Sequence, residues 1–255
     1  MNKVVIIIPA RYSSTRLPGK PLLELGGKPI IQHVYENACA SKFVDNVIVA
    51  TDDERIYETV RSFGGKCVMT PKGIKSGSDR IAYVAKDIKS SLVMNLQGDE
   101  PFLKHHIFDK GLEVAISDNR IPVVTLATKI KSTEELEDPN NVKVVMDKYG
   151  YALYFSRFPI PFIRDNNDAF SNKKIYGHYR HIGVYIFRQK ILQEFVRMKQ
   201  SKLEKMEKLE QLRLLENGYK IKVVLTAGSP TGIDTIEDFK RAQLFFMRKK
   251  RYYEI

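Results

Sequence analysis

Short runs of aliphatic and β-branched residues alternate with stretches of helical period along the first half of the chain. Val4–Ile8 reads as a strand, a helix runs from Pro29 toward Ala40, Val47–Ala50 is a second strand, and a helix follows from Asp53 toward Phe63. Lys66–Met69, Leu92–Leu96 and Pro122–Thr128 continue the strands, with helices over Asp79–Asp87 and His105–Ile116 between them. Strands that are apolar almost throughout, each followed by a helix, predict a mostly parallel α/β sheet covered by helices on both faces. Pro29, after Gly26-Gly27-Lys28, fits the first turn of a helix, so the Gly-Gly pair reads as a turn. The phosphate-loop pattern ending Gly-Lys-Ser/Thr is absent.

The texture changes at Val142. Val142–Met146, Tyr151–Phe155 and His181–Phe187 read as strands with no helix between them, the first two joined by the hairpin turn Asp147-Lys148-Tyr149-Gly150. Arg164–Lys174, rich in Asn, Asp and Lys, has the composition of a mobile loop. Helical period returns over Met206–Glu216, where Leu209, Leu212 and Leu215 recur and Asn217-Gly218 supplies a stop. A last strand, Lys220–Thr226, leads through Gly228-Ser229-Pro230 to Asp234, and Thr235 with Asp238 makes a capping-box start for a helix toward Met247. The expected organisation is one Rossmann-like domain over 1–255 carrying an inserted, smaller β-rich lobe around 130–190.

Composition narrows the classes. At 255 residues and 43% hydrophobic content the chain can bury a large core, which argues against a disordered protein. Cys39 and Cys67 are too few for a disulfide framework and too far apart for a metal-binding pair motif, which fits a reducing compartment. The apolar run ending at Pro9 is too short for a signal-peptide core or a membrane span, so a cytoplasmic location is expected. The 42 Lys and Arg against 30 Asp and Glu give a net charge of +12, suited to anionic ligands. Most of that charge is dispersed. The dense run Arg248-Lys249-Lys250-Arg251 reads as a frayed tail or as helix-end charge.

Candidate chemistry lies where apolar strands end. Asn95-Leu96-Gln97-Gly98-Asp99-Glu100-Pro101 places Asp99 beyond a buried strand, where open α/β sheets bind ligands; it is a candidate metal carboxylate or a turn cap. Asp234 sits similarly and is either a second metal carboxylate or a helix-entry acid. The first loop, Pro9-Ala10-Arg11-Tyr12-Ser13-Ser14-Thr15-Arg16-Leu17-Pro18-Gly19-Lys20, cannot be helical. It could gather Arg11, Arg16 and Lys20, with the hydroxyls of Ser13, Ser14 and Thr15, onto a triphosphate, or be an ordinary exposed loop. Ser76, Gly77 and Arg80 open a helix and offer N–H groups and a cation to a base or phosphate, or simply cap that helix. Arg157 ends a strand before two prolines and suits a carboxylate, or is a surface charge. His181, Gly183 and Tyr185 share a strand face, where a satisfied structural histidine is the alternative to a ligand. Glu210-Gln211 could read sugar hydroxyls or face water.

Together IPARYSSTRLPGKPL, SGSDR, NLQGDEP, YFSRFPIP, RHIGVYIFR, LEQLRLLENG and GIDT, in this order and almost end to end, resemble the 3-deoxy-manno-octulosonate (Kdo) cytidylyltransferases, the CMP-Kdo synthetases of lipopolysaccharide biosynthesis. That resemblance implies an α/β nucleotidyltransferase fold and a homodimer using CTP, Kdo and magnesium. It implies nucleotide binding by Pro9, Ala10, Arg11, Ser14, Thr15, Arg16, Lys20, Ser76, Gly77, Arg80 and Gln97. Kdo would be held by Gln97, Arg157, His181, Tyr185, Glu210 and Gln211. Asp99 and Asp234 would hold the metal, and Lys20 and Arg16 would join them in catalysis.

The nearest alternative is a CMP-sialate synthetase, which also activates an acidic 2-keto sugar from CTP; NLQGDEP, YFSRFPIP and LEQLRLLE favour Kdo. A nucleic-acid binder is the distant alternative, motivated by charge alone, since no zinc-finger, basic-zipper or RNA-recognition signature is present.

Overall fold

In the computed structural model, which describes residues 3–13, 16–164, 177–228 and 232–253, two compact units make up the chain. The first comprises Met1–Asp109 with Pro230–Ile255, and the second Lys110–Ser229; the lobe expected around 130–190 falls within the second.

The unbroken apolar run at the front forms β1 (Val4–Ala10), buried along nearly its whole length as expected of a strand covered on both faces, with both of its edges paired. A 3-10 turn over Lys20–Leu22 follows, then a hairpin of β2 (Glu24–Leu25) and β3 (Lys28–Pro29). Its turn residues Gly26 and Gly27 have φ of 62° and 83°, the left-handed pair that a two-residue hairpin needs. Pro29 thus pairs with Glu24 and stands at the N-cap of α1 (Ile30–Cys39), one position outside the helical turn expected for it. Next come β4 (Asn46–Thr51), α2 (Glu54–Ser62) capped by Asp53, β5 (Cys67–Met69), α3 (Gly77–Ala85), β6 (Leu92–Asn95) and α4 (His105–Ser117). The sheet order β6-β1-β4-β5 is parallel, with Val5 opposite both Asn46 and Val93.

In the second unit β7 (Val123–Lys129) is followed by the short α5 (Thr133–Glu137), β8 (Lys143–Met146), β9 (Ala152–Ser156), β10 (Tyr179–Arg188), α6 (Gln189–Phe195), α7 (Lys202–Glu207), α8 (Gln211–Glu216) and β11 (Ile221–Leu225). β11 pairs parallel with β7, while β7–β10, β10–β8 and β8–β9 are antiparallel. The chain returns to the first unit through α9 (Ile236–Tyr253), longer than the helix expected to stop at Met247. Thr235 and Asp238 form the expected reciprocal cap: Asp238 N donates to Thr235 Oγ1 at 3.1 Å and Thr235 N to Asp238 Oδ2 at 2.9 Å. Leu17, Leu25, Ile30, Ile233, Phe239 and Ala242 pack into one apolar cluster that ties the first loop to the start of α9.

The single helix expected over Met206–Glu216 is two. Lys208, at φ 55° and ψ 45°, breaks the helical path between α7 and α8. The break leaves Glu207 accepting from Ser156 Oγ at 2.7 Å and from Arg157 N at 3.0 Å. Among the described residues, no helix is long and apolar enough to cross a membrane.

Candidate active site

Two glycines explain how the loops of the first unit meet. A Cβ on Gly98 would lie 3.0 Å from the carbonyl oxygen of Pro9, and one on Gly77 would lie 3.4 Å from the Pro9 ring. The turn carrying Asp99 therefore approaches the end of β1, at Pro9 and buried Ala10, more closely than a side chain at Gly98 allows comfortably, while the start of α3 packs against Pro9 at ordinary van der Waals distance.

At that end, cations and carboxylates converge. Lys20 Nζ is 2.6 Å from Asp99 Oδ2 and 3.0 Å from Asp234 Oδ1, and Arg16 Nη2 is 3.2 Å from Asp234 Oδ2. The backbone fixes the pair of acids, since Ile233 N donates to Asp99 O at 2.9 Å and Ile233 is buried in the apolar cluster. Gly19, at φ 69°, turns the chain so that Lys20 enters the site, with Gly19 N donating to Tyr12 O at 2.9 Å. Burial opposes the charge on Lys20, yet Asp99 and Asp234 outweigh it and hold the ammonium above its ordinary range. The Lys20 side chain is 11% exposed against 56% for Arg16, so the lysine bridges are the less screened.

Arg16 and Lys20 thus come together as expected, but on two carboxylates of this chain. Arg11 is half-buried beside β1, and Ser14 and Thr15 lie outside the described residues. Among the described residues, no group of three or more His, Cys, Asp or Glu forms a metal cluster. Two carboxylates sharing one cation nevertheless match what magnesium takes from a protein when substrate oxygens complete its shell.

Ser76 caps α3: its Oγ accepts from Asp79 N at 3.0 Å and donates to Asp79 Oδ2 at 2.8 Å. Arg80 is fully buried. Its Nη2 donates to Asp52 Oδ2 at 2.7 Å and its Nη1 to Thr70 Oγ1, while Nε has no partner among the described residues. Asp52 and Thr70 were not anticipated, although Asp52, like Asp99, is an acid at the exit of an apolar strand. Gln97 is half-buried, its Nε2 donating to Asn95 Oδ1 at 3.3 Å.

In the second unit, the pairing of β10 with β7 runs through Ile182 opposite Leu126 and resumes with Tyr185 opposite Thr125, leaving Gly183 and Val184 as a two-residue bulge. Two extra residues preserve the alternation, so His181, Gly183 and Tyr185 do share a face, with Ile182, Val184 and Ile186 buried on the other. The bulge also shortens the strand. Residues four apart would be separated by about 13 Å in regular β-structure, but the His181 and Tyr185 rings lie 5.3 Å apart by centroid. Phe155 meets His181 edge-on at 5.1 Å.

Enclosure, with Arg180 adding its charge, lowers the His181 pKa to about 3. Burial pushes the Tyr185 phenol well up, helped by the carboxylate of Glu210, and its hydroxyl is buried with no partner among the described residues. Gln211 is buried at the start of α8. Arg157 is committed in part to the fold: Nε donates to Glu207 O at 2.8 Å and Nη1 to Pro139 O at 2.9 Å. Glu207 was missed because its role depends on the break at Lys208.

Comparison with known proteins supplies the lineage. A cytidylyltransferase family model matches residues 5–221. A 3-deoxy-manno-octulosonate cytidylyltransferase of Thermodesulfovibrio yellowstonii is 50% identical over 247 residues, covering 94% of this chain and 96% of that protein. One of Chloroherpeton thalassium is 46% identical over 249 residues, covering 97% and 99%. A solved CMP:2-keto-3-deoxy-manno-octonic acid synthetase complexed with CTP superposes with a TM-score of 0.90 at 40% identity, covering 97% of this chain and 99% of that one. With lineage and architecture in agreement over nearly the whole length, the chain belongs to the cytidylyltransferase family, among the 3-deoxy-manno-octulosonate cytidylyltransferases.

Proposed function

We propose that this protein transfers the cytidylyl group of CTP to Kdo, giving CMP-Kdo and pyrophosphate. The observation that carries the reading is the convergence of Lys20, Arg16, Asp99 and Asp234 at the end of β1, in a chain whose relatives bear that activity in their names. The anomeric hydroxyl of Kdo would attack the α-phosphate in line; an oxygen–phosphorus bond forms there as the bond to the β-phosphate oxygen breaks, and the hydroxyl proton goes to solvent. Such a transfer needs positioning and charge neutralisation more than covalent help from the protein.

Each residue group has a task in this reading. Arg11, Ser14, Thr15, Arg16 and Lys20 take the triphosphate, and Lys20 and Arg16 stabilise the departing pyrophosphate. Ser76, Gly77 and Arg80 border the base, with Arg80 steadied by Asp52. Asp99 and Asp234 would hold magnesium, which would supply Lewis-acid polarisation of the α-phosphate and lower the pKa of the attacking hydroxyl. His181 and Tyr185, with Gln97, Arg157, Glu210 and Gln211, hold the sugar acid; the Tyr185 hydroxyl, buried with no partner among the described residues, supports this assignment.

The working form is proposed as a cytoplasmic homodimer. Leu153, Phe158 and Phe162 of the second unit are 62%, 74% and 82% exposed, which suits a surface covered by a second copy. Cys39 and Cys67 are free thiols, as suits a reducing compartment.

Pyrophosphate release from CTP and magnesium, measured with Kdo, with N-acetylneuraminate and without sugar, tests the proposal. Release with Kdo alone, abolished by chelator, is expected. Release with N-acetylneuraminate alone would reassign the sugar, and silence with both would overturn the reading.

A further inference from the structure

Thr125 lies on β7, entirely buried, opposite the bulge of β10. Its Oγ1 is 2.7 Å from the carbonyl oxygen of Val184, inside the bulge, and 2.9 Å from His181 Nε2; the carbonyl oxygen of Ile182 is more distant at 3.4 Å. A hydroxyl has one proton to give. The short contact to Val184 O uses it, because a carbonyl oxygen can only accept. Toward His181 the same oxygen can then only accept, so Nε2 carries the imidazole proton and Nδ1 keeps its lone pair.

The geometry points to Thr125 as a positioning residue for the sugar site: by donating to Val184 O and accepting from His181 Nε2, it holds the bulge closed and fixes the imidazole as the Nε2–H tautomer, with Nδ1 left as an acceptor. This rests on the assignment of His181 and Tyr185 to the sugar acid in the proposed function. Neighbouring contacts agree with a fixed ring. His181 N donates to Val142 O at 2.8 Å, Phe155 closes one side of the imidazole edge-on, and Tyr185 lies against it. A hydroxyl-rich ligand meeting this pair would find an acceptor nitrogen on one ring and, on the other, a phenol with no partner among the described residues.

No substrate contact is asked of Thr125, so turnover alone would not distinguish positioning from general support of the fold. The test uses the full chain in three forms: unmodified, Thr125→Val, which keeps the shape and removes the hydroxyl, and Thr125→Ser, which restores it. Two-bond ¹H–¹⁵N spectra of the histidine rings report the tautomer without substrate, with the His181 signals assigned by their loss in His181→Gln. KM is measured separately for CTP and Kdo.

The unmodified protein should show Nε2–H at His181. Thr125→Val should show a changed or mixed tautomer and a KM for Kdo raised about tenfold, with KM for CTP changed less than twofold, and Thr125→Ser should return both readouts toward the original. A His181 protonated at Nδ1 in the unmodified protein overturns the proposal without any variant, so it stays testable even if Thr125→Val folds poorly. An unchanged tautomer in folded Thr125→Val, or KM values for CTP and Kdo rising together, also overturns it. A changed tautomer with neither KM altered overturns the placement of His181 at the sugar, and is thereby distinguished from a failure of Thr125 to hold the ring.

Discussion

Lys20 and Asp99 stand 79 positions apart in sequence and meet at 2.6 Å, with Asp234 on the same ammonium at 3.0 Å. The lysine therefore occupies the point at which two carboxylates could share a divalent cation. Under the proposed function, a cation arriving without nucleotide would compete with a charge already in place, whereas bound nucleotide would offer Lys20 its phosphates as another partner.

One consequence concerns metal binding without substrate. Lys20→Met should bind Mn²⁺ about tenfold more tightly than the unmodified protein when no nucleotide is present, equivalent to about 1.4 kcal/mol. Electron paramagnetic resonance of free Mn²⁺ measures this directly, and equal affinities in the two proteins would remove the competition from the picture.

Replacing the carboxylate itself separates charge from shape. Asp99→Asn should keep the circular dichroism and melting behaviour of the parent within about 1 kcal/mol, because Ile233 N bonds the backbone oxygen of Asp99 and not its side chain. Turnover at saturating CTP and magnesium should fall roughly 100- to 1,000-fold, as when a preorganised electrostatic partner is lost. Undiminished turnover would remove Asp99 from the machinery.

His181 makes stability depend on pH in a definite direction. Its pKa is held near 3 in the fold, against an ordinary value of 6.5. As pH falls below 6.5 the unfolded chain takes up a proton that the folded chain refuses until about pH 3, so the contribution present at neutral pH is lost across that window. Between pH 7 and pH 5 the unmodified protein should lose about 2 kcal/mol more than His181→Gln does. Denaturant midpoints at the two pH values give the comparison, and parallel losses in both proteins would count against an imidazole kept neutral by the fold.

A structural ion pair offers a contrast with the site. Arg213 grips Glu204 through two contacts, 2.5 and 2.8 Å, both side chains buried, with the guanidinium 4.6 Å from the Phe195 ring centroid. Glu204→Ala should cost roughly 3–5 kcal/mol, since it strands a buried arginine. Urea unfolding checks this, and a loss below about 1 kcal/mol would mean that water reaches the pair.

Much of the first unit was legible because its signals are local. Apolar runs gave β1, β4 and β6 to within a residue or two, the strand exits marked Asp99 and Asp234, and Thr235 with Asp238 marked the start of α9. Short elements escaped: α5 and α6, at five and seven residues, are too brief for a helical period to register. The break at Lys208 was invisible because leucines at Leu209, Leu212 and Leu215 continue the period across it. Partnerships that depend on the folded backbone had no signature at all: Arg80 with Asp52 spans 28 positions, and Thr125 with Val184 spans 59. Arg16 and Lys20, expected to gather with Arg11 on a triphosphate, meet on carboxylates of this chain, a partnership the sequence did not announce because those acids come from distant turns.

The two-residue bulge in β10 makes chain length itself a determinant at that point. Deleting Gly183 alone would reverse the facing of every position beyond it, exchanging Tyr185 with its buried neighbours. Deleting Gly183 and Val184 together would keep Tyr185 opposite Thr125 and place it two positions from His181 on the same face, so the rings would stay neighbours, but it would remove the Val184 carbonyl that Thr125 Oγ1 reaches. A homologue lacking one of these residues would thus lose the facing of Tyr185, whereas one lacking both could keep the ladder and the ring pair and lose only the carbonyl that orients Thr125.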